Sequence, residues 1–154
     1  MAPAIQAGDA AEDLAMMAGA SVLGRLTIPG RPDQVREARR FVAKAISGRQ
    51  LARRLADAAV LLTSEVVTNA VVHSNSRRPG GTVTIVLAEM AGGVRIEVCD
   101  GGSDLSAPVV KGDPYTSEGH GLLLVQALAD QWGYVRDETG TTVWFWLSLT
   151  ARRR

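Results

Sequence analysis

The order in which the hydrophobic pattern changes along the chain is the feature that most restricts its fold. Apolar residues recur first as in a strand, twice with helical spacing, twice as in strands, once as in a helix and finally twice as in strands. These stretches lie at 22–28, 32–46, 50–73, 82–90, 94–100, 121–132, 133–138 and 141–149. Helices in this number can cover one face of a sheet. The order therefore predicts an α+β two-layer sandwich, with a mixed, mainly antiparallel sheet that carries helices on one face.

Length and composition favour a single domain of ordinary globular type. The chain has 154 residues, of which 46% are hydrophobic and 21% are charged. We expect a flexible tail at 1–21, one domain at 22–150 and a basic tail at 151–154. The stretch between Gly101 and Gly119 has no hydrophobic periodicity. A loop of this length inside a compact domain usually has a function.

Charge, cysteine content and hydropathy argue against several classes of partner. The formal net charge is +1, so nothing predicts direct binding to nucleic acid. Cys99 is the single cysteine and cannot form an internal disulfide, which fits a cytoplasmic protein. The N-terminus has no early basic cluster typical of a secretory signal. No run of about 18 uncharged apolar residues exists, so we expect no membrane span.

Two polar residues interrupt the otherwise apolar stretch "LLTSEVVTNAVVHS" at 61–74. Glu65 and Asn69 are four residues apart, so they project from one face of a helix. This face either meets solvent or a water molecule, or it forms a functional pair, because burial without partners would cost a few kcal/mol. In the functional alternative, the Asn69 amide oxygen is a suitable Mg²⁺ ligand and the Glu65 carboxylate accepts a proton from an attacking hydroxyl.

A second candidate site follows the strand that ends in "VCDGG". Asp-Gly is common in turns, so Asp100 with Gly101 and Gly102 can simply end the strand. In the functional alternative, the Asp100 carboxylate accepts a hydrogen bond from the exocyclic amino group of adenine. A guanine presents a carbonyl at that edge and would leave the carboxylate unpaired, so it would be rejected.

A third candidate site is "EGHGLLLVQAL", where glycines precede a helix. Free N–H groups at a helix N-terminus bind anions, and Gly119 and Gly121 let a phosphate come close. A dinucleotide fingerprint would need a third glycine where Leu124 stands, and a strand directly before it, so a Rossmann site is not indicated. His120 either contacts phosphate or faces solvent. Two histidines and one cysteine are too few to favour a zinc site.

Together with "TGTTVWFWL" near the C-terminus, these motifs occur in the order Glu-x-x-x-Asn, Asp-x-Gly, Gly-x-Gly and Gly-x-Thr. That order resembles the GHKL superfamily of ATP-binding proteins, which share the Bergerat fold, over about residues 26–149. Within it, "SEVVTNAVVHS", "GHGLLLVQALADQWGY" and "GTTVWFWL" are similar to the anti-sigma-factor serine kinases of the RsbW and SpoIIAB type. The opening "LTIPGRPDQVREARRFV" is similar to actinobacterial members.

The resemblance implies a site for ATP and Mg²⁺ with defined roles. Glu65 is expected to be the general base, Asn69 the Mg²⁺ ligand and Asp100 the contact to adenine. Gly102 would support that contact, the two glycines around His120 would line the phosphates, and Thr142 would lie near the adenine. The residues expected to bind ATP are Asn69, Asp100, Gly102, Gly119, His120, Gly121, Leu122 and Thr142.

The resemblance also implies partners and an activity. The expected activity is phosphorylation of a serine or threonine on a STAS-domain anti-anti-sigma protein, and a sigma factor is the alternative client, held inactive by binding. Such proteins commonly form homodimers. Two positions depart from the family pattern: Asp104 replaces a glycine of the first glycine motif, and His120 stands where bacterial relatives often have arginine. Both departures affect the expected binding of the nucleotide, and therefore catalytic turnover, more than they affect the expected fold.

Two other functional hypotheses remain beside the kinase. The domain can act only by docking a sigma factor or STAS protein, with or without ATP. A detached catalytic domain of a histidine kinase would need a phosphoacceptor histidine, and the first 20 residues contain none.

The last strand suggests a contact surface. In "VWFWLSL" Val143, Phe145 and Leu147 point to one side and Trp144 and Trp146 to the other. If helices cover the first set, both tryptophans lie on the open face of the sheet, where large exposed aromatics usually mark an interface. We expect them to help form a homodimer or a partner contact, unless the N-terminal tail covers them.

Overall fold

A computed structural model describes residues 20–47, 53–73, 78–90, 92–101, 124–125, 127–136 and 140–148 of the chain. The strands are β1 (Ser21–Pro29), β2 (Thr82–Met90), β3 (Gly93–Asp100), β4 (Gln131–Arg136) and β5 (Thr141–Ser148). The helices are α1 (Val35–Ser47), preceded by one 3₁₀ turn at Pro32–Gln34, and α2 (Arg53–His73). Residues 124–125 and 127–128 are also helical. The order of elements matches the order expected from the sequence.

The five strands form one sheet in the order β1-β2-β3-β5-β4, and each neighbouring pair is antiparallel. The predicted α+β fold with helices on one face is therefore confirmed. Gly92 has a φ of +86° in the turn between β2 and β3, where an L side chain would be strained. At Gly93 an added Cβ would lie 2.2 Å from the backbone oxygen of Leu147, so β3 and β5 approach closely there.

The expected helix at 121–132 is too long at its C-terminal end. Gln131 and Trp132 belong to β4, where Trp132 pairs with Phe145 and packs against the core. The chain enters the sheet at Asp130, whose backbone N–H donates to the Trp146 carbonyl at 3.0 Å. The Asp130 carboxylate also accepts a bond from the Ser148 N–H at 2.8 Å. These sheet contacts outweigh the helical pattern of the segment, because a tertiary context routinely overrides local propensity.

The hydrophobic core lies between the helices and one face of the sheet. Alternate strand residues such as Ile85, Ile96 and Phe145 point into it, as the period of a strand requires. From the helices, side chains such as Val42 and Leu62 meet them, and all five are fully buried. Because α2 supplies eight of the buried positions along its length, it is held firmly against the sheet. They are Leu55, Ala59, Leu62, Thr63, Val66, Val67, Ala70 and Val71.

Helix α2 is also long and apolar enough, by length and composition alone, to cross a membrane over Arg53–Val72. Its most buried side packs into the core described above, and its sequence includes Asp57 and Glu65. The apolar character of α2 is therefore explained by its place over the sheet, since core helices have the same composition.

Candidate functional site

Glu65 and Asn69 lie on α2 at the border between its buried and exposed sides. Both side chains are half-buried. On one flank are the buried Leu62 and Val66, and on the other is the exposed Thr68. Neither polar side chain is fully enclosed by the apolar core. The free-energy cost of removing a polar group from water without a hydrogen-bond partner therefore does not apply in full to either of them. The two side chains can therefore meet a ligand at the edge of the core, where the expected pair would act.

Asp100 is the last residue of β3, and its side chain is half-buried. Since Ile96 and Val98 point into the core, the alternation of a strand directs Asp100 to the same side of the sheet, where the helices lie. Helix α2 contacts both β3 and β5. The structure thus places Asp100 on the face of the sheet that α2 covers, as a site between helix and sheet requires.

The hairpin threonines of β5 occupy opposite faces of the sheet. Thr141 is the direct partner of Asp100 in the strand register and shares its face, because Val143 two residues later is a core residue. Thr142 instead pairs with Cys99, and its hydroxyl donates to the Cys99 sulfur at 3.4 Å on the other face. The sequence motif predicts Thr142 as the ligand contact, whereas the register brings Thr141, which the motif did not select, beside Asp100.

Burial raises the pKa of the Cys99 thiol from 9.0 to about 11. The hydrogen bond from Thr142 opposes this rise, while the carboxylates of Glu97 and Asp100 add to it. A thiol in this state stays protonated near neutral pH and is a poor nucleophile. Cys99 therefore acts as a packing residue behind the site.

The remaining predicted ligand residues fall outside the part of the chain that the structure describes. They are Gly102, Gly119, His120, Gly121 and Leu122. Gly101 is described and exposed, directly after Asp100. Asp104, the departure in the first glycine motif, also lies outside the described residues.

The side chains of the described residues limit which metal ion the site could bind. Within the described ranges, no group of three or more histidine, cysteine, aspartate or glutamate side chains is placed to hold a metal ion. Mg²⁺ does not need such a cage, because it takes one or two protein ligands and completes its shell with water and phosphate oxygens. A single half-buried amide oxygen at Asn69 fits that requirement.

Comparison with known proteins identifies the family. A model of the histidine kinase-like ATPase domain matches residues 28–147, which include both candidate residues of α2, Asp100 and the β5 hairpin. The chain belongs to the histidine kinase-like ATPase domain family. Membership in this ATPase family implies ATP as the ligand.

A solved structure shares the fold of this histidine kinase-like ATPase domain. It contains the RsbU and RsbW domains of Rv1364c from Mycobacterium tuberculosis, and it superposes with a TM-score of 0.59 at 23% sequence identity. The match covers 85% of this chain and 34% of that chain. The match thus spans about a third of the length of that chain, and at this identity the similarity concerns the fold. Comparison with curated protein sequences gives no match.

Proposed function

We propose that the protein is an ATP-binding regulator of transcription: an anti-sigma factor that phosphorylates a serine or threonine of a STAS-domain anti-anti-sigma partner. The observation that carries the proposal is the position of Glu65 and Asn69. Both are half-buried at the edge of the core, on the helix that packs against β3 and β5. Family membership supports ATP as the nucleotide, and the RsbW-like fold supports the anti-sigma role.

In this proposal, nucleotide recognition depends on Asp100. Its carboxylate accepts a hydrogen bond from the amino group of adenine, and this acceptor distinguishes adenine from guanine. Thr141, opposite Asp100 in the register and on the same face, is better placed than Thr142 to assist this contact. Backbone groups at Gly102, Gly119 and Gly121, with His120 and Leu122, complete the binding of the phosphates and the ring.

In the same proposal, Asn69 binds the metal ion and Glu65 acts as the general base. The Asn69 amide oxygen is the proposed protein ligand for Mg²⁺, whose charge neutralises the phosphate oxygens during phosphoryl transfer. Glu65 orients the partner's hydroxyl and accepts its proton as the hydroxyl oxygen forms a bond to the γ-phosphorus of ATP. The bond from that phosphorus to the β–γ bridging oxygen breaks, and ADP leaves. Most of the acceleration comes from positioning and charge, and the general base adds about 10²–10⁴-fold.

A non-catalytic domain is the second candidate, and one sequence feature favours it. Asp104 and His120 stand where related motifs carry glycine and arginine. A neutral imidazole supports phosphate less than a guanidinium does, since arginine is always charged. In this alternative the domain binds ATP, or no nucleotide, and regulates by sequestering a sigma factor or STAS protein. We place either activity in the cytoplasm, with the protein as a homodimer.

Nucleotide binding and phosphoryl transfer are tested separately. The first measurement is a titration of the full chain with ATP and Mg²⁺, followed by tryptophan fluorescence, for the native protein and Asp100→Ala. We expect the native protein to saturate and Asp100→Ala to lose most of its affinity for ATP, because alanine offers no acceptor to the adenine amino group. Equal affinities for the two proteins would contradict the adenine contact.

The second measurement is transfer of radiolabelled phosphate from ATP to STAS-domain proteins of the same cell. Glu65→Gln should bind ATP normally and lose about 10²-fold or more in transfer rate. Asp57→Asn is the matched control, because it makes the same carboxylate-to-amide change at an exposed position of the same helix. Transfer at the native rate by Glu65→Gln would refute the assignment of the base. ATP binding without transfer by the native protein would favour the non-catalytic domain.

A further inference from the structure

Three polar side chains from three neighbouring strands form one row at the end of the sheet. Thr141 of β5 is the direct partner of Asp100 of β3 on one side and of Arg136 of β4 on the other. Residues that are directly opposite each other in an antiparallel sheet point to the same face. Because Asp100 and Thr141 point to the helix side, Arg136 does so too. We call these three residues the polar row.

The apolar core ends just before the polar row. On β4, Trp132 packs against the core, Tyr134 two residues later is 43% exposed, and Arg136 is exposed. On β3, Val98 is buried and Asp100 is half-buried. The polar row therefore borders the core at the end of the sheet where the proposed adenine contact lies, although no motif in the sequence selects Arg136.

The opposite face of the same strands carries a different arrangement. There Arg95 Nη2 lies 2.9 Å from a carboxylate oxygen of Glu97, and the Arg95 guanidinium stacks on Trp144 at 4.2 Å from the ring centroid. Trp144 and Trp146 are half-buried, so they are not the exposed aromatic pair that the sequence led us to expect. This ion pair is a contact within the fold, whereas the polar row lies at the candidate site.

The side chains of the polar row differ in the hydrogen bonds that they can form. The Asp100 carboxylate only accepts, the Thr141 hydroxyl donates or accepts, and the Arg136 guanidinium only donates. Neighbouring strands are about 4.8 Å apart, so the backbones of Asp100 and Arg136 are separated by about 10 Å. A purine ring whose amino group contacts Asp100 can extend past Thr141, and the long side chain of Arg136 can approach its far edge.

This order of acceptor and donor matches the edge of adenine and not that of guanine. Adenine presents the 6-amino donor and then the ring nitrogens N1 and N3, which are acceptors. Guanine presents a carbonyl oxygen at C6, an N1–H donor and a 2-amino donor. Because a guanidinium has no acceptor, a 2-amino group that faces Arg136 would leave two donors opposite each other without a hydrogen bond.

We propose that Arg136 is a second determinant of base specificity, which disfavours any purine with an amino group at C2. Asp100 then recognises the group at C6 and Arg136 recognises the edge at C2, from two strands that are not neighbours in the sheet. Arg136 selects the base and takes no part in phosphoryl transfer. This inference rests on the proposed function, because it requires ATP to bind with its amino group at Asp100.

Two analogues of ATP separate the contacts at C6 and C2. The nucleotide 2-amino-ATP keeps the 6-amino group of adenine and adds an amino group at C2. Inosine triphosphate has a carbonyl at C6 and no amino group at C2. The experiment measures the dissociation constants of ATP and both analogues, with Mg²⁺, by isothermal titration calorimetry of the full chain.

The three proteins to be compared are the native protein, Arg136→Gln and Arg25→Gln. Arg25 is the matched control, because it is also an exposed arginine on an edge strand, but it pairs with Val86 and lies on the opposite face. All three nucleotides carry the same triphosphate. The loss of one positive charge therefore affects their dissociation constants alike and cancels in the ratios between them.

The native protein should bind ATP at least about fivefold more tightly than 2-amino-ATP, because one hydrogen bond of the base is replaced by two opposed donors. In Arg136→Gln this ratio should fall below about twofold, since the glutamine amide oxygen can accept a hydrogen bond from the 2-amino group. The ratio between ATP and inosine triphosphate should stay at the native value. Arg25→Gln should match the native protein in both ratios.

Three results would overturn the inference while ATP binding, and with it the proposed function, stands. They are equal binding of ATP and 2-amino-ATP by the native protein, a native ratio between these two nucleotides in Arg136→Gln, and an equal change of the ratio in Arg25→Gln. A native protein that does not bind ATP at all would instead refute the proposed function, and the inference with it.

Discussion

The two faces of the sheet in this protein meet the rest of the chain in different ways. On β3, Val94, Ile96 and Val98 enter an apolar core that two helices complete. Between them, Arg95 and Glu97 form an ion pair on the other face and are buried just as deeply. An apolar contact loses free energy in proportion to the area or volume removed. Removing one partner of a buried ion pair strongly lowers the free energy of unfolding, because the remaining charge is then buried without its counter-charge.

The difference explains where a ligand site can be built on this scaffold. The helix side combines a rigid apolar core with polar groups at its border, Glu65 and Asn69 on α2 and Asp100 at the end of β3. On the opposite face of the sheet, which we call the outer face, Arg95 and Glu97 are paired with each other and Arg95 also stacks on Trp144. The candidate site therefore lies on the helix side of the sheet, whereas the residues of the outer face contribute to the stability of the fold.

The largest effect should follow from breaking the ion pair. Arg95→Ala leaves the Glu97 carboxylate buried without its cation, so we expect a loss of about 3–5 kcal/mol in the free energy of unfolding. Urea denaturation measures this loss. The double variant Arg95→Met, Glu97→Leu removes both charges and should recover most of the stability. If Arg95→Ala costs less than about 1 kcal/mol, the outer face is open to water and the comparison of the two faces fails.

A smaller effect should appear as a dependence of stability on pH. Burial raises the pKa of the Cys99 thiol from 9.0 to about 11, so above pH 9 the unfolded chain loses this proton first. The contribution of Cys99 to stability is complete below pH 9 and is lost as the pH rises to about 11. It amounts to about 3 kcal/mol, because one pKa unit corresponds to about 1.4 kcal/mol.

The measurement for this second prediction is urea denaturation between pH 8 and 11 of the native protein and Cys99→Ala. Other groups titrate in both proteins, so the contribution of Cys99 is the difference between the two slopes of the free energy of unfolding against pH. If the two proteins have the same slope, the thiol is accessible to solvent in the folded protein.

The smallest effect should come from the apolar face at the position between the two charges. Ile96→Val removes one buried methylene and should cost about 0.5–1.5 kcal/mol without changing the cooperativity of unfolding. Val22→Ala, at an exposed position of β1, is the control and should change stability by less than about 0.5 kcal/mol. A loss as large as that of Arg95→Ala would mean that both faces respond alike.

The sequence predicted much of the fold because its local patterns agree with the tertiary structure. The alternation in β3 and the spacing of apolar residues in α2 each specify one buried side, and the structure uses both. The prediction failed where local pattern and tertiary contact compete. Gln131 and Trp132 continue a helical pattern, yet pairing with β5 places them in a strand.

The candidate site was predictable only as a set of residue types. Glu65, Asn69 and Asp100 were selected from motifs, and the structure places them at the border of the core and on the helix side of the sheet. The choice between Thr141 and Thr142 depends on strand register, since a shift of one residue moves a side chain to the other face. A motif in one strand contains no information on the register with another.

The sequence by itself determined the order of elements, the buried side of each and the residue types available for the proposed binding of ATP and Mg²⁺, because these follow from local periodicity and chemistry. The tertiary structure decided which residues become neighbours: Asp100 with Thr141, Cys99 with Thr142, and Arg95 with Trp144. It also showed that Arg95 and Glu97, polar by sequence and outward by alternation, are buried. Burial depends on what lies above a strand, and the alternation within the strand does not specify this.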